Sequence, residues 1–275
     1  MPPSAPVPPV AALADGLPVN LVATLLAVAL AMTVTFAAAK VAGRHSVIDV
    51  TWGAGFALIA VVSWVLSAGD GDATQRAVVA VMTVLWGLRL ASHIERRGRG
   101  KGEDPRYEEL MARAPAGRET FHVVTRVYLT QAVVMWFVSL PVQVAMYETG
   151  GLGVLAVLGV VVWAIGLTFE AVGDRQLAAF ARDPASKGQV MDRGLWRYTR
   201  HPNYFGDACV WWGIWLVAAQ ELPGLLTVLS PVAMTFFLVF GTGKALLEKG
   251  MADRRPGYTD YVRRTSGFFP LPPRG

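Results

Sequence analysis

Between Leu152 and Phe169 the chain carries no charged side chain. A helix rises about 1.5 Å per residue and the hydrocarbon layer of a bilayer is about 30 Å thick, so about 20 apolar residues cross it. A helix at the surface of a soluble protein needs a polar face, and this stretch has none. Hydrophobic residues make up 53% of the 275 and charged residues 16%, against about 25% charged in soluble domains. Similar stretches recur, and the expected spans are Pro18–Ala39, Val47–Ser67, Arg76–Ser92, Val127–Tyr147, Leu152–Gly173, Phe205–Ala219 and Leu222–Leu247. The expected fold is all-α: a polytopic membrane helix bundle of about seven transmembrane helices.

Lys and Arg orient such a bundle, because cytoplasmic loops carry the excess. Of 25 basic residues, 23 fall in Lys40–Ser46, His93–Arg126, Asp174–Tyr204 and the end after Thr242; Arg76 and Arg89 are the others. Those segments alternate with the short turns at Glu148–Gly150 and Gln220–Glu221, so the N-terminus is expected outside and the C-terminus in the cytoplasm. This topology also accounts for the net charge of +5 and the pI near 9.6 without nucleic acid. Residues 1–16 are Pro/Ala-rich without Lys or Arg and read as a disordered tail rather than a signal peptide. Residues 17–275 read as a single transmembrane domain with cytoplasmic loops 93–126 and 174–204 and a cytoplasmic segment 248–275. Cys209 stands alone, which excludes an internal disulfide and a CxxC pair. The four His residues form no HExxH or similar pattern, so no metal site is expected.

The densest chemistry lies in Gly194–Asp207, where cations, phenols, an imidazole, an amide and a carboxylate gather as a helix re-enters the membrane. Pro202 suits the first turn of a helix. Asn203 or Asp207 can accept from free backbone donors at the positive end of the helix dipole, a setting that suits phosphate. The plainer reading makes Arg197 and Arg200 headgroup anchors. Charges inside spans are costly and usually face a cavity. Asp49 and Glu170 are therefore the candidate catalytic groups. Their structural alternatives are an Asp49–Arg89 bridge and a headgroup position for Glu170 and Asp174. The run Arg96–Gly102 suits phosphate, a positive-inside lock or anionic lipid equally. No GxGxxG and no P-loop is present, so a dinucleotide here must be held by helix ends and loops.

The stretch Arg200-His201-Pro202-Asn203-Tyr204-Phe205-Gly206-Asp207 resembles the RHPNYxGD signature of the steroid 5-alpha-reductase-like superfamily, in particular its bacterial membrane branch. Ser46–Gly53, Trp86–Leu90 with Gly102–Tyr107, and Tyr258–Ser266 with Phe269-Pro270 fit the same branch. The resemblance implies a seven-helix reductase with NADPH near the cytoplasmic side of a bacterial plasma membrane. Asn203 and Asp207 would lie on the cofactor, with Arg200, His201 and Tyr204 from the same motif. Tyr258, Tyr261, Arg263 and Arg264 would close the cofactor site, and Tyr198, Arg106 and Tyr107 belong to the matched segments. The paired Gln-Glu that holds the steroid ketone in human-type enzymes has no counterpart in the N-terminal half.

The expected reaction is reduction of a carbon–carbon double bond, an enone or activated alkene, in a lipophilic steroid-, isoprenoid- or fatty-acyl-like substrate. Partners are then the substrate and membrane lipids, with neither nucleic acid nor another protein implied. The alternative is an S-adenosylmethionine-dependent membrane methyltransferase of the isoprenylcysteine/phospholipid type, which also carries RHPxYxG and in which Glu248 and Tyr261 would serve. Asp207 separates the two, since NYxGD is the reductase form. A transporter would place polar residues near the midplane, whereas here they crowd one face.

Overall fold

The computed structural model describes residues 9–241, 248 and 251–274. Among these residues the regular structure is all helical, with one isolated parallel bridge between Thr199 and Ser266. Among the described residues six helical stretches are long and apolar enough to cross a membrane: Asp15–Ala42, His45–Leu66, Ala73–Gly98, Glu119–Val138, Val154–Arg182 and Leu222–Val239. Their outward faces are apolar: Leu26 and Leu30, one turn apart, are 64% and 65% exposed. Exposed apolar helix faces of this kind meet lipid rather than water. The chain is an integral membrane protein.

The helices are α1 (Pro9–Ala42), α2 (Ile48–Leu66), α3 (Ala73–Gly98), α4 (Pro105–Ala112), α5 (Glu119–Val123), α6 (Thr130–Val138) and α7 (Leu140–Ala145). They continue with α8 (Val154–Arg182), α9 (Pro202–Ala218), α10 (Leu222–Leu225), α11 (Leu229–Val239), α12 (Met251–Arg254) and α13 (Tyr258–Arg264). α1 begins at Pro9, inside the stretch read as a tail, and residues 1–8 lie outside the described residues. α3 and α8 outrun the expected spans by several residues and carry the first part of each long loop as helix. α9 covers the expected sixth span with 17 residues and is not among the six stretches long enough to cross. The expected seventh span ends at 247, and residues 242–247 lie outside the described residues.

The expected fourth span is a broken helix. A π-turn, Val124–Leu129, precedes α6, and α6 stops at Ser139, beyond which α7 starts anew. Pro141 has no N–H to continue the ladder, and Ser139 Oγ donates to the Trp136 carbonyl at 2.7 Å. Two helix starts carry aspartate caps. Asp72 accepts from the Gln75 amide at 2.8 Å at the start of α3, and Asp104 from the Arg106 amide at 2.9 Å ahead of Pro105.

The chain divides into two compact units. One comprises Met1–Ala156 with Val217–Thr227, the other Val157–Leu216 with Val228–Gly275. In the first, α2 and α3 touch through Gly53 and Gly87, where a Cβ on either glycine would stand 2.5 Å from the other's carbonyl oxygen. In the second, α8 and α9 meet through Gly166 against Gly206 and Gly159 against Gly213. Seven-residue spacing on both helices keeps these glycines on one seam, so the backbones approach closely, as small residues permit in membrane helices. That approach brings Glu170 of α8 beside Gly206 of α9 and fixes where the α9 motif sits.

Candidate functional site

In the second unit, the loop before α9 and the C-terminal segment are sewn together. Arg200 N donates to the Ser266 carbonyl at 2.9 Å, Leu271 N to Tyr198 O at 3.0 Å, and Thr199 Oγ1 to Phe268 O at 2.8 Å. Tyr261 donates its hydroxyl to the Trp196 carbonyl at 2.6 Å, and Trp196 donates its indole N–H to Gly173 O at 3.0 Å. Glu248 lies at the centre. Arg200 donates to it through Nε at 2.8 Å and Nη2 at 3.3 Å, and the ring nitrogen Nε2 of His201 lies 2.9 Å from Oε1. Nη1 of Arg200 donates to the carbonyls of Thr265 and Val262 at 2.7 and 3.2 Å. His201 also stacks on Tyr204, with ring centroids 5.4 Å apart and planes 4° from parallel.

Burial alone would push the Glu248 carboxyl upward, but the hydrogen bonds from His201 and Arg200, with the Arg200 charge, prevail and hold it at about 2. Tyr258 and Tyr261 are both shifted upward. Burial is the main cause for each, and the Glu248 charge adds to it. Both phenols therefore stay neutral, and Tyr261 acts as a donor.

One turn into α9 the character changes. Asn203 donates through Nδ2 to Asp174 Oδ1 at 3.2 Å, and its own carbonyl oxygen accepts from the Tyr204 amide at 3.1 Å. Glu170, Asp174 and Asp207 are all buried. Asn203 and Asp207 share a face of α9, four residues apart. Tyr198 is 44% exposed, and Arg263 and Arg264 reach Asp260 and Asp192 from exposed positions at 3.0 and 3.5 Å. The unit thus holds a half-buried amide, buried carboxylates, neutral phenols and exposed guanidinium groups. Among the described residues no group of three or more His, Cys, Asp or Glu is arranged to hold a metal ion.

The first unit gathers three more of the nominated residues. Asp49 accepts from Tyr107 at 2.5 Å and from Arg106 Nη2 at 2.8 Å, so it forms an ion pair with Arg106. Arg106 is also held by Asp104, through Nε at 2.9 Å and Nη2 at 3.0 Å. Burial, and then the Asp49 charge, shift the Tyr107 phenol upward. Glu103 accepts from the backbone N–H groups of His45, Ser46 and Asp104, the last two at 2.9 Å. Burial opposes its ionisation, yet these three donors hold its carboxyl below the usual range. The Gly-flanked end of the basic run is thereby pinned over the start of α2. Arg44 helps by donating to Gly98 O at 2.9 Å and Lys101 O at 3.3 Å.

Two residues at the heart of these clusters carried little signal of their own. Glu103 stood only inside the matched segment Gly102–Tyr107, and Glu248 had weight only through the methyltransferase alternative. Each acts on groups more than 40 positions away, at His45 and at Arg200. Sequence spacing does not reveal such pairings.

Residues 35–265 match a family model described as a protein of unknown function, DUF1295. An uncharacterized protein of Schizosaccharomyces pombe is 22% identical over 216 residues, covering 70% of this chain. The chain spans 62% of the length of that curated relative. No solved structure matches.

Proposed function

Because the chain belongs to the DUF1295 family, a steroid 5-alpha-reductase-like group, we propose that it is an integral-membrane, NADPH-dependent reductase of a carbon–carbon double bond in a lipophilic substrate. The observation that carries this reading is the make-up of the second unit. Asn203 and Asp207 lie one turn apart on α9 beside buried Glu170 and Asp174, and the same unit bears exposed Arg263 and Arg264.

This donor set fits the dinucleotide. An amide both donates and accepts, and a carboxylate accepts from ribose hydroxyls or a carboxamide N–H. Guanidinium groups suit the 2′-phosphate and pyrophosphate. When bound, NADPH supplies the hydride. The chain's own residues orient it, exclude water and hold a proton, which we assign to Glu170, the buried carboxyl one turn from Asp174. Asp49 accepts from both Tyr107 and Arg106, so its part is to position these groups. Arg200 and His201 act from behind, as the residues that bind Glu248 and fix the C-terminal segment. The same bonds weigh against the methyltransferase alternative, because Glu248 is already engaged by Arg200 and His201.

We assign seven crossings, with α9 as the sixth, and place the N-terminus outside and the motif at the cytoplasmic face of a bacterial plasma membrane. The distribution of Lys and Arg supports that orientation. The test is titration of purified protein with NADPH, NADH and S-adenosylmethionine side by side. Tighter binding of NADPH than of the other two is expected. Preference for S-adenosylmethionine would reverse the assignment, and equal affinity for NADPH and NADH would remove the 2′-phosphate argument.

A further inference from the structure

The long basic loop of the first unit ends in a feature that the proposed reduction does not use. Pro115 begins a tight turn in which the Arg118 amide donates to the Pro115 carbonyl at 3.0 Å. Gly117 holds its third position at φ 75°, a conformation that glycine adopts without strain. Beside this turn opens a cleft of about 670 Å³ lined by Gly117, Arg118, Glu119, Thr120, Phe121 and Val124. It lies at the start of Glu119–Val138, one of the stretches apolar enough to cross a membrane. Its lining is ionic at Arg118 and Glu119 and apolar at Phe121 and Val124.

The apolar side continues along the helix. Phe121, Leu129 and Val133 are 68%, 56% and 54% exposed. Leu129 comes eight residues after Phe121. Eight residues of α-helix overshoot two turns and would swing Leu129 off the Phe121 face. The wider π-turn Val124–Leu129 takes up part of that excess, and Val133 follows Leu129 by one α-turn. Large apolar side chains turned outward along a membrane-spanning stretch meet acyl chains. The cleft therefore opens at the head of a lipid-facing track.

The charge at that head follows from what is already paired. Arg113, earlier in the loop, is bound by Glu109. Arg118 and Arg126 are exposed, and neither guanidinium has a hydrogen bond or ion pair with another described residue. The Glu119 carboxylate accepts from the Gly117 amide at 2.9 Å. Two spare cations thus outnumber one carboxylate that is already engaged. Guanidinium groups suit a phosphate, but a soluble phosphate would leave the apolar track unused. We propose that Arg118, Arg126 and the face from Phe121 to Val133 form a docking site for an anionic phospholipid, its phosphate on the guanidinium groups and an acyl chain along the track. This site stands independently of the reductase reading, and its test uses no nucleotide.

The experiment places a bimane label at Val133→Cys in a Cys209→Ser background and reconstitutes the full chain in phosphatidylcholine vesicles. Quenching is read as phosphatidylglycerol or phosphatidylethanolamine with brominated acyl chains is added at equal mole fraction. The ethanolamine lipid is the stringent comparison, because its ammonium could meet Glu119. Each surface arginine favours an anionic lipid by about fivefold, so the two together should give phosphatidylglycerol an advantage of about twentyfold. Arg118→Gln should lower that advantage about fivefold. Arg118→Lys, which keeps the charge, and Arg113→Gln, which removes a cation outside the cleft, should preserve it. Equal quenching by the two lipids, or an advantage that survives in the Arg118→Gln/Arg126→Gln double variant, would overturn the proposal. So would release of the quenching by soluble glycerol phosphate, which would assign the cleft to a free phosphate.

Discussion

Replacing Glu248 tests the arrangement of the second unit most directly. The Arg200 and His201 side chains are 9% and 8% exposed and Glu248 is 21% exposed, so its loss strands a nearly buried guanidinium. Removing one partner of a buried pair costs about 3–5 kcal/mol. Arg200 keeps its bonds to the Thr265 and Val262 carbonyls, and part of Glu248 is wet, which lowers the figure to about 2–3 kcal/mol for Glu248→Ala. Glu248→Gln keeps one acceptor and should cost about half as much. In a chain of this length about 2 kcal/mol corresponds to a fall of roughly 5 °C in unfolding temperature. Linkage gives an independent reading. The carboxyl sits at about 2 instead of its ordinary 4.5, so its contribution is whole above 4.5 and is lost as pH falls toward 2. The wild type should therefore lose stability over that interval more steeply than Glu248→Gln. The assay is thermal unfolding in detergent across pH for the wild type, both Glu248 variants and Arg200→Gln. If all four unfold within a degree of one another at neutral pH, the lock is not what holds the C-terminal segment.

The remaining predictions concern the cofactor, the outer turn and the topology. Asp207→Asn and Asn203→Ala should each weaken NADPH binding about ten- to hundred-fold while the unfolding temperature holds; unchanged affinity with a lowered unfolding temperature would give both residues a structural role. Glu148 is buried, with Gln75 Nε2 donating at 2.7 Å and the Gly224 amide at 2.8 Å. Burial is the chief cause that lifts its carboxyl to about 7. A raised value means that its stabilising contribution is whole below 4.5 and is lost as pH rises through 7, so the wild type should be more stable at pH 5 than at pH 8. Glu148→Gln should flatten that slope, and an equally steep slope in the variant would place its origin elsewhere. Reporter fusions at Gly150 and Gly275 should fall on opposite sides of the membrane, and the same side for both would end the seven-crossing assignment.

The membrane character was legible in the sequence because it rests on local quantities. A run such as Leu152–Phe169 has one low-cost environment whatever lies around it. The break at Ser139–Pro141 was written in the sequence too, but its apolar surroundings hid it within an unbroken hydrophobic span. The motif at Arg200–Asp207 was legible as a candidate site, yet its residues turn to different partners in a way that spacing does not show. Arg200 and His201 turn to Glu248, while Asn203 turns to Asp174. Asp49 also takes Arg106 and Tyr107 as partners, more than 50 positions away along the chain. These choices were made by tertiary packing. Buried charges accept whichever partner the helices carry within about 3 Å, and how closely the helices approach is decided by glycine seams such as Gly166–Gly206.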